Sequence, residues 1–320
     1  DATTVDQSMD MLDLTPTGFK IKSNHALINT SNITYSFNCI RRPDGYVGKL
    51  PSAGTDVFAM DTWVSDSTPS TEPNMISNFP VDLVIDTDPT YPHAHWQADR
   101  YVRTRQIQGQ TLEANNTDAE AAGSWGYFDY QDGWMDRQGF TGYSDWTSFM
   151  WKRGQGVDVV CYTGDASWGR QIKHSLNQVP EMMWFKQRDG TANWIAYHAG
   201  MNGGSSPEDY GLQINGANNQ DDNANYFNDT APTSSVFTLG GGNVINGSGD
   251  EMVAFLFSSV SGISKCGYYT GTGTSSVITV TTGFQPRFLL LKGTGNGDYW
   301  WMVDTSRGWG SGTDKYMYEN

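Results

Sequence analysis

His93 and His95 are separated by one residue, so on a strand both imidazoles would point to the same side. Imidazoles are metal ligands by type, and three such pairs around a three-fold axis would complete an octahedral set. The plainer reading of the segment from Asp86 to Trp96 is a polar loop that happens to carry two histidines. Asp221, Asp222 and Asn223 cluster oxygen ligands of the kind Ca2+ takes, without the glycine and distant glutamate of an EF-hand. A solvated turn accounts for that cluster equally well, and Asp56 and Asp61 invite the same ion with less support. No motif demands a cofactor, and Ca2+ is the ion this chemistry would take. Tyr91, Trp125, Trp134 and Trp168 are aromatic residues flanked by Gly, Asp or Pro. On loops they would offer flat faces for the C–H side of a pyranose, with Asn and Asp bonding its hydroxyls, although packing in a core is the plainer reading of each. Enzyme signatures are missing: there is no G-x-S-x-G, H-E-x-x-H or G-x-x-x-x-G-K-[ST]. A glycosidase-type carboxylate pair is defined by spatial separation, which a linear reading does not reach. The expectation is a protein that is not an enzyme.

The elements that must position these residues read as β-structure. Short apolar runs alternate with clusters of Gly, Asn and Asp, as in Gly-Tyr-Tyr-Thr-Gly-Thr-Gly-Thr-Ser-Ser-Val-Ile-Thr-Val at 267–280. Helical periodicity is weak throughout. The best helical candidate, His95 to Arg105, reads equally as a loop entering a strand. The stretch from Lys49 to Asn78 is the least regular and reads as a linker or excursion. Lys and Arg number 20 against 35 Asp and Glu, a formal charge of −15 with no basic stripe, which argues against a nucleic-acid partner. The longest apolar runs, such as Met182-Met183-Trp184-Phe185, are far too short to span a bilayer as a helix. The chain starts at Asp1 without a signal-peptide pattern, which reads as a processed chain or a piece of a longer one. Cys39, Cys161 and Cys266 read as three small buried side chains; a Cys161–Cys266 disulfide is the alternative. Sequons at Asn29, Asn32, Asn115, Asn228 and Asn246 would mark surface loops only in a eukaryotic secreted protein.

Self-comparison organises the chain. Val179-Pro180-Glu181-Met182-Met183-Trp184-Phe185-Lys186 matches Gln285-Pro286-Arg287-Phe288-Leu289-Leu290-Leu291-Lys292, and Trp194 matches Trp300 at the same spacing of 106 residues. Tyr162-Thr163-Gly164 matches Tyr269-Thr270-Gly271. A more divergent copy holds Phe79-Pro80-Val81-Asp82-Leu83-Val84-Ile85, and there Asp86 is expected in place of the lysine. Repeated residues are most simply architectural, so a functional group is better sought in one copy only. The expected fold class is all-β, built of tandem antiparallel β-sandwich modules, jelly-roll or lectin-like, of about 105 residues each. The expected boundaries are 1–42 as the second half of a module, 43–57 as linker, 58–153 and 154–263 as modules, and 264–320 as a first half. Half a sandwich leaves open edges and a bare apolar face, so 1–42 should complete 264–320 of its own or a neighbouring chain, unless the chain is a fragment.

The pattern Tyr-Thr-Gly…Val-Pro-Glu-Met-Met-Trp-Phe-Lys…Asn-Trp…Tyr-His resembles repeat modules of uncharacterised tail-fibre and appendage virion proteins of marine bacteriophages, including cyanophages. So do Asn228-Asp229-Thr230-Ala231-Pro232-Thr233-Ser234-Ser235-Val236-Phe237-Thr238-Leu239-Gly240 and Asp304-Thr305-Ser306-Arg307-Gly308. The likeness is strong over 155–310 and weaker over 43–153. It implies a structural protein of a virion surface, a fibre or knob that attaches to host glycan. Its partners would be copies of itself, other appendage proteins and host-surface polysaccharide, with no membrane insertion. A self-assembling extracellular filament subunit with strand-complemented modules is the alternative, and a polysaccharide-degrading enzyme the third. The resemblance supplies no catalytic residues.

Overall fold

The computed structural model describes residues 7–9, 12–15, 18–21, 26–41, 57–63, 73–87, 100–122, 126–136, 146–154, 156–310 and 314–318. Strands run in chain order as follows. The first are β1 (Gln7–Met9), β2 (Leu12–Thr15), β3 (Gly18–Ile21) and β4 (Thr34–Arg41). Next come β5 (Phe58–Trp63), β6 (Met75–Ile76), β7 (Leu83–Thr87), β8 (Arg100–Thr104), β9 (Gln110–Glu113), β10 (Ala121–Ala122), β11 (Gly126–Tyr127), β12 (Gly133–Asp136) and β13 (Trp146–Trp151). They are followed by β14 (Val157–Thr163), β15 (Arg170–Lys173), β16 (Met182–Gln187), β17 (Ile195–His198), β18 (Tyr210–Gln213), β19 (Asp221–Asp222), β20 (Val236–Leu239) and β21 (Glu251–Phe257). The last are β22 (Ser264–Thr270), β23 (Ile278–Thr281), β24 (Pro286–Gly293), β25 (Trp301–Asp304) and β26 (Asp314–Tyr318). The helices are single turns: α1 (Ala26–Asn29), α2 (Ala224–Phe227) and α3 (Asn243–Asn246). The protein is all-β. The Lys49–Asn78 excursion contains β5 and β6, and the helical candidate ends in strand β8.

Three six-stranded antiparallel sheets share one connectivity. Sheet I runs β10-β9-β8-β7-β13-β5, sheet II β19-β18-β17-β16-β21-β14, and sheet III β1-β26-β25-β24-β4-β22. In sheet III, β4 lies between β22 and β24 of the same chain, with Cys39 opposite Lys265 on one side and Leu289 on the other. Strand β1 continues that sheet beside β26.

Each large sheet is buried on both faces, which explains its unbroken apolar runs. Alternate residues face opposite ways. In β16, Met182 and Trp184 join one cluster, while Met183 and Phe185 join another. The first cluster is common to all three sheets: Ile85 and Phe149 from sheet I, Trp184 and Phe255 from sheet II, Phe288 and Leu290 from sheet III. On its other face each sheet carries a small cover and a private core. Sheet I packs on β6 and β12 through Trp134 and Phe128, sheet II on β15 and β20 through Ile172 and Phe237, and sheet III on β3 and β23 through Phe19 and Phe284. This face-to-face arrangement gives the molecule its sandwich character.

Candidate functional site

The repeated residues hold the sheets to one another. Lys186 is fully buried, and its Nζ donates to the carbonyls of Thr117 (3.2 Å) and Gln187 (2.8 Å). Thr117 lies just after β9 of sheet I. Lys292 repeats the contact one sheet on, donating to Gly216 O at 3.2 Å just after β18, and to Asp298 O. Burial pulls both ammonium groups down to about 8, against the opposing pull of Asp118 and Asp189 on Lys186 and of Asp298 on Lys292. The tryptophans follow suit. Trp194 Nε1 donates to Glu113 O at 2.8 Å, and Trp300 Nε1 to Gln213 O at 3.1 Å, each carbonyl ending a strand of the preceding sheet. Arg188 adds a bidentate ion pair to Glu120, at 2.8 and 3.0 Å, across the first of these seams.

The strand register corrects the expectation for Asp86. Lys186 lies opposite Val253, and Thr87 lies opposite Thr147, in ladders where Phe255 and Phe149 occupy the same inward position. Thr87 is therefore the counterpart of the lysines, and Arg100, its cross-strand partner, is the counterpart of Trp194 and Trp300. Asp86 faces outward, where it pairs with buried Arg103 at 2.5 Å. Aligning Pro80 with Pro180 misses this because a one-residue offset exchanges the faces of a strand.

The Tyr-Thr-Gly repeats are also structural. Tyr162 donates to Ile245 O at 2.6 Å, and Tyr269 to Ile28 O at 2.8 Å. Asn246 accepts from Asp165 N (3.1 Å) and donates to Ser167 O (3.0 Å); Asn29 does the same for Thr272 N (2.8 Å) and Thr274 O (3.1 Å). Both asparagines are fully buried, so these two sequons lie inside the fold. Of the cysteines, Cys39 and Cys266 are buried and Cys161 is exposed, and all are free. The exposure of Cys161 corrects the expectation of three buried thiols: β14 is an edge strand, paired only with β21.

The singled-out aromatic and acidic residues fall into distinct settings. Tyr91, His93, His95 and Trp125 lie outside the described residues. Trp134 is not a platform. It is fully buried, its Nε1 donates to Ser148 Oγ at 2.9 Å, and its ring stacks on Phe128. Gly133 and Asp132 before it suggested a loop, yet Gly133 and Trp134 belong to strand β12. Trp168 is 58% exposed, whereas Trp146, Trp151, Trp184, Trp194, Trp300, Trp301 and Trp309 are all buried. It stands on the turn between β14 and β15, in which Ala166 has a φ of 57°. One side of the indole rests on Gly241, where any Cβ would collide with the ring.

Asp221 and Asp222 are exposed and form β19; Asn223 caps α2 by accepting from Asn225 N at 3.1 Å. Asn223 Nδ2 also donates to Asp221 Oδ2 at 3.1 Å. Among the described residues no group of three His, Cys, Asp or Glu side chains is placed to hold a metal ion. Of Asp221, Asp222 and Asn223, only Asp221 lines a recess of about 290 Å³, together with Gln213, Asn218, Asn219, Gln220 and Tyr226. Burial, then the neighbouring Asp221 carboxylate, pushes the Tyr226 hydroxyl up. Gly211 admits the Tyr226 ring, since a Cβ there would meet Cδ2 at 2.5 Å. The turn bearing Trp168 connects to the recess through α2: Asn225, next to Tyr226, packs on Gly240 and Gly242, which flank the glycine beneath the indole. Sequence reasoning missed Tyr226 and Asn219; the aromatic three residues past an Asn cap was the available signal. A larger recess of about 650 Å³ between Ser175–Gln178 and Ser259–Ser261 has no aromatic in its wall.

Residues 147–319 match the family described as Domain of unknown function (DUF7483), and the chain belongs to that family. Neither a curated protein nor a solved structure matches the chain.

Proposed function

Proceeding from membership in a family without a described activity, we propose that the chain is a structural protein of an external appendage, a phage tail fibre or virion-surface knob, and that it contacts host glycan. In this reading each large sheet with its small cover is one lectin-like module of a tandem array. The virion surface is the place of action. Weak sites become effective when many copies are displayed together. No helix among the described residues is long and apolar enough to cross a membrane.

The observation that carries the reading is Trp168: an open indole linked through α2 to an amide-lined recess, in a protein that buries Trp134, Trp146, Trp151, Trp184, Trp194, Trp300, Trp301 and Trp309. Sugar stacking needs such a face, and the carboxamides of Asn218, Asn219 and Gln213 supply hydroxyl partners. The segment around α2 carries Glu208, Asp209, Asp221, Asp222 and Asp229. Burial first, then Asp229, Glu208 and Asp222, pushes the Asp209 carboxyl up, a sign of mutual repulsion there. The site therefore suits neutral or amino sugars and repels uronates and sialates. The pairing of β4 within its own chain favours this single-chain body over a filament built by strand exchange.

A glycan array spanning neutral, amino and acidic sugars tests the proposal. Binding confined to neutral or amino sugars and abolished by Trp168→Ala is expected. Absence of binding across the array, or binding indifferent to Trp168→Ala, overturns it.

A further inference from the structure

Where the three sheets meet, a small cavity of about 20 Å³ is walled by Asn38, Phe58, Trp151, Val157, Phe257 and Ser258, among others. Most of that wall is apolar. Three of its side chains are polar and almost fully buried: Asn38 is 4% exposed, Trp151 2% and Ser258 2%. Each keeps one polar atom, Oδ1, Nε1 and Oγ respectively, with no protein partner. They come from different sheets. Asn38 lies on β4 of sheet III, Trp151 on β13 of sheet I, and Ser258 directly follows β21 of sheet II.

Buried polar atoms of folded proteins are nearly always bonded, and three orphans on one cavity point to a shared partner. The atoms define its chemistry. Trp151 Nε1 only donates, Asn38 Oδ1 only accepts, and Ser258 Oγ does either. A metal cation cannot accept the indole N–H, and an anion repels the amide oxygen. The partner must be neutral, both donor and acceptor, and small enough for a space that suits one water-sized sphere.

We propose that this cavity is a binding site for a single ordered water molecule that joins the three sheets by accepting from Trp151 and donating to Asn38 and Ser258. The site is independent of the glycan reading. It ties β4, which comes from the amino-terminal part of the chain, to both other sheets at once. The neighbouring space lined by Trp184, Leu290, Trp300 and Met302 also draws on all three sheets, yet it offers a lone unpartnered N–H, on Trp184, and is too poor in partners to hold water.

A crystal structure of the wild-type protein at about 1.5 Å or better should show one full-occupancy water within about 2.7–3.2 Å of all three atoms. A cavity without density there, or with the three side chains turned to other partners, overturns the proposal. In solution, water-oxygen magnetic relaxation dispersion should count one long-lived water fewer in Asn38→Leu than in wild type. Trp151→Phe, which keeps an aromatic ring and removes the N–H donor, should shorten the residence time several-fold. An unchanged count and residence time in folded variants would also overturn it.

Discussion

Sheets II and III grip their neighbours with one pair of donors, a buried lysine and a buried tryptophan, whereas sheet I fills the same two positions with Thr87 and Arg100. All six side chains are buried at the end of a register-matched strand pair. In the first two cases the cation is on the inner strand and the ring on its partner. In the third the cation has crossed the ladder and the ring is gone. What survives is one buried cation in each pair. In sheets II and III the pair donates to carbonyls at or just beyond the strand ends of a neighbouring sheet, since buried carbonyls left unpaired are costly.

The opposite end of the same strand pair makes the converse point. His198, Thr104 and Asp304 occupy corresponding positions and are all buried, yet share no chemistry. Each is bonded differently: Thr104 Oγ1 donates to Asp82 O at 2.6 Å beside the start of β7, Asp304 Oδ1 accepts from Ser306 N at 3.0 Å, and His198 Nδ1 accepts from Gly200 N at 2.9 Å. With no shared carbonyl to reach, the three residue types have diverged.

The sharpest way to break the comparison is to remove a seam ring. Trp194→Ala and Trp300→Ala should each cost about 3–5 kcal/mol, the range for deleting a buried aromatic side chain. Trp194→Phe should cost less, about 1–2 kcal/mol, because a phenyl ring still fills most of the site while the bond to Glu113 O is lost. Urea unfolding followed by far-UV circular dichroism measures both. Equal costs for the Ala and Phe variants would show that the hydrogen bond, not the packing, closes the seam.

Next in size is the acid response of His198. Burial holds its pKa down to about 4, against the backbone of Phe37, which pulls it up. Because the folded value lies below the unfolded one of about 6.5, the unfolded chain takes up a proton first. The stabilisation is whole above pH 6.5 and is lost as pH falls from there towards 4. Between pH 7 and pH 4.5 wild type should lose about 2–3 kcal/mol more than His198→Gln, a difference that cancels the carboxylates common to both. Parallel losses in the two proteins would remove His198 from the account.

The seam lysines give a smaller shift of the same sign. Their folded pKa of about 8 lies below the ordinary value, so the charged form opposes folding and that opposition fades as pH rises from about 8 towards 10.5. Wild type should gain on the order of 1–2 kcal/mol relative to Lys186→Met between pH 7 and pH 10. The comparison with the variant matters, because buried Tyr162 and Cys266, pushed up by burial, titrate in the unfolded chain over the same interval and act the other way. Lys292→Met should behave alike, and Thr87→Met should show no such pH dependence.

Much of this organisation was legible in the chain itself. Turn residues between short apolar runs announced an antiparallel all-β protein. The spacing shared by Lys186 with Lys292 and by Trp194 with Trp300 marked positions that had to be architectural. Other features needed the ladder. Thr87 was hidden because face assignment has a period of two, and a single offset before β7 hands the inward position to a neighbouring residue. Trp134 was misread because Gly133 and Asp132 look like loop formers, although Gly133 enters β12 where Met75 O approaches too closely for a Cβ. Cys161 escaped because edge position is a property of topology and not of composition. The recess was invisible for the same reason: Gln213 and Tyr226 are distant in sequence and meet only through β18, β19 and α2.

The smallest expected effect on folding belongs to the residue with the largest expected effect on binding. Trp168 has one side on Gly241 and the rest of its surface in solvent, so Trp168→Ala should change the unfolding free energy by no more than about 0.5 kcal/mol. That is a small fraction of the expected cost at Trp194, for the same chemical change. If the seams are architecture and the exposed turn is a contact site, the two substitutions separate completely: one strongly destabilises the body, the other leaves the body intact and removes the stacking face. The pair can be read by urea titration and by titration calorimetry against whichever sugar the array selects. Gly241→Ala supplies the intermediate case, since its Cβ would displace the indole without deleting it and should weaken binding while the ring remains present. A Trp168→Ala protein as unstable as Trp194→Ala would mean that the turn is part of the sheet II core, and the contrast between seam and surface would collapse.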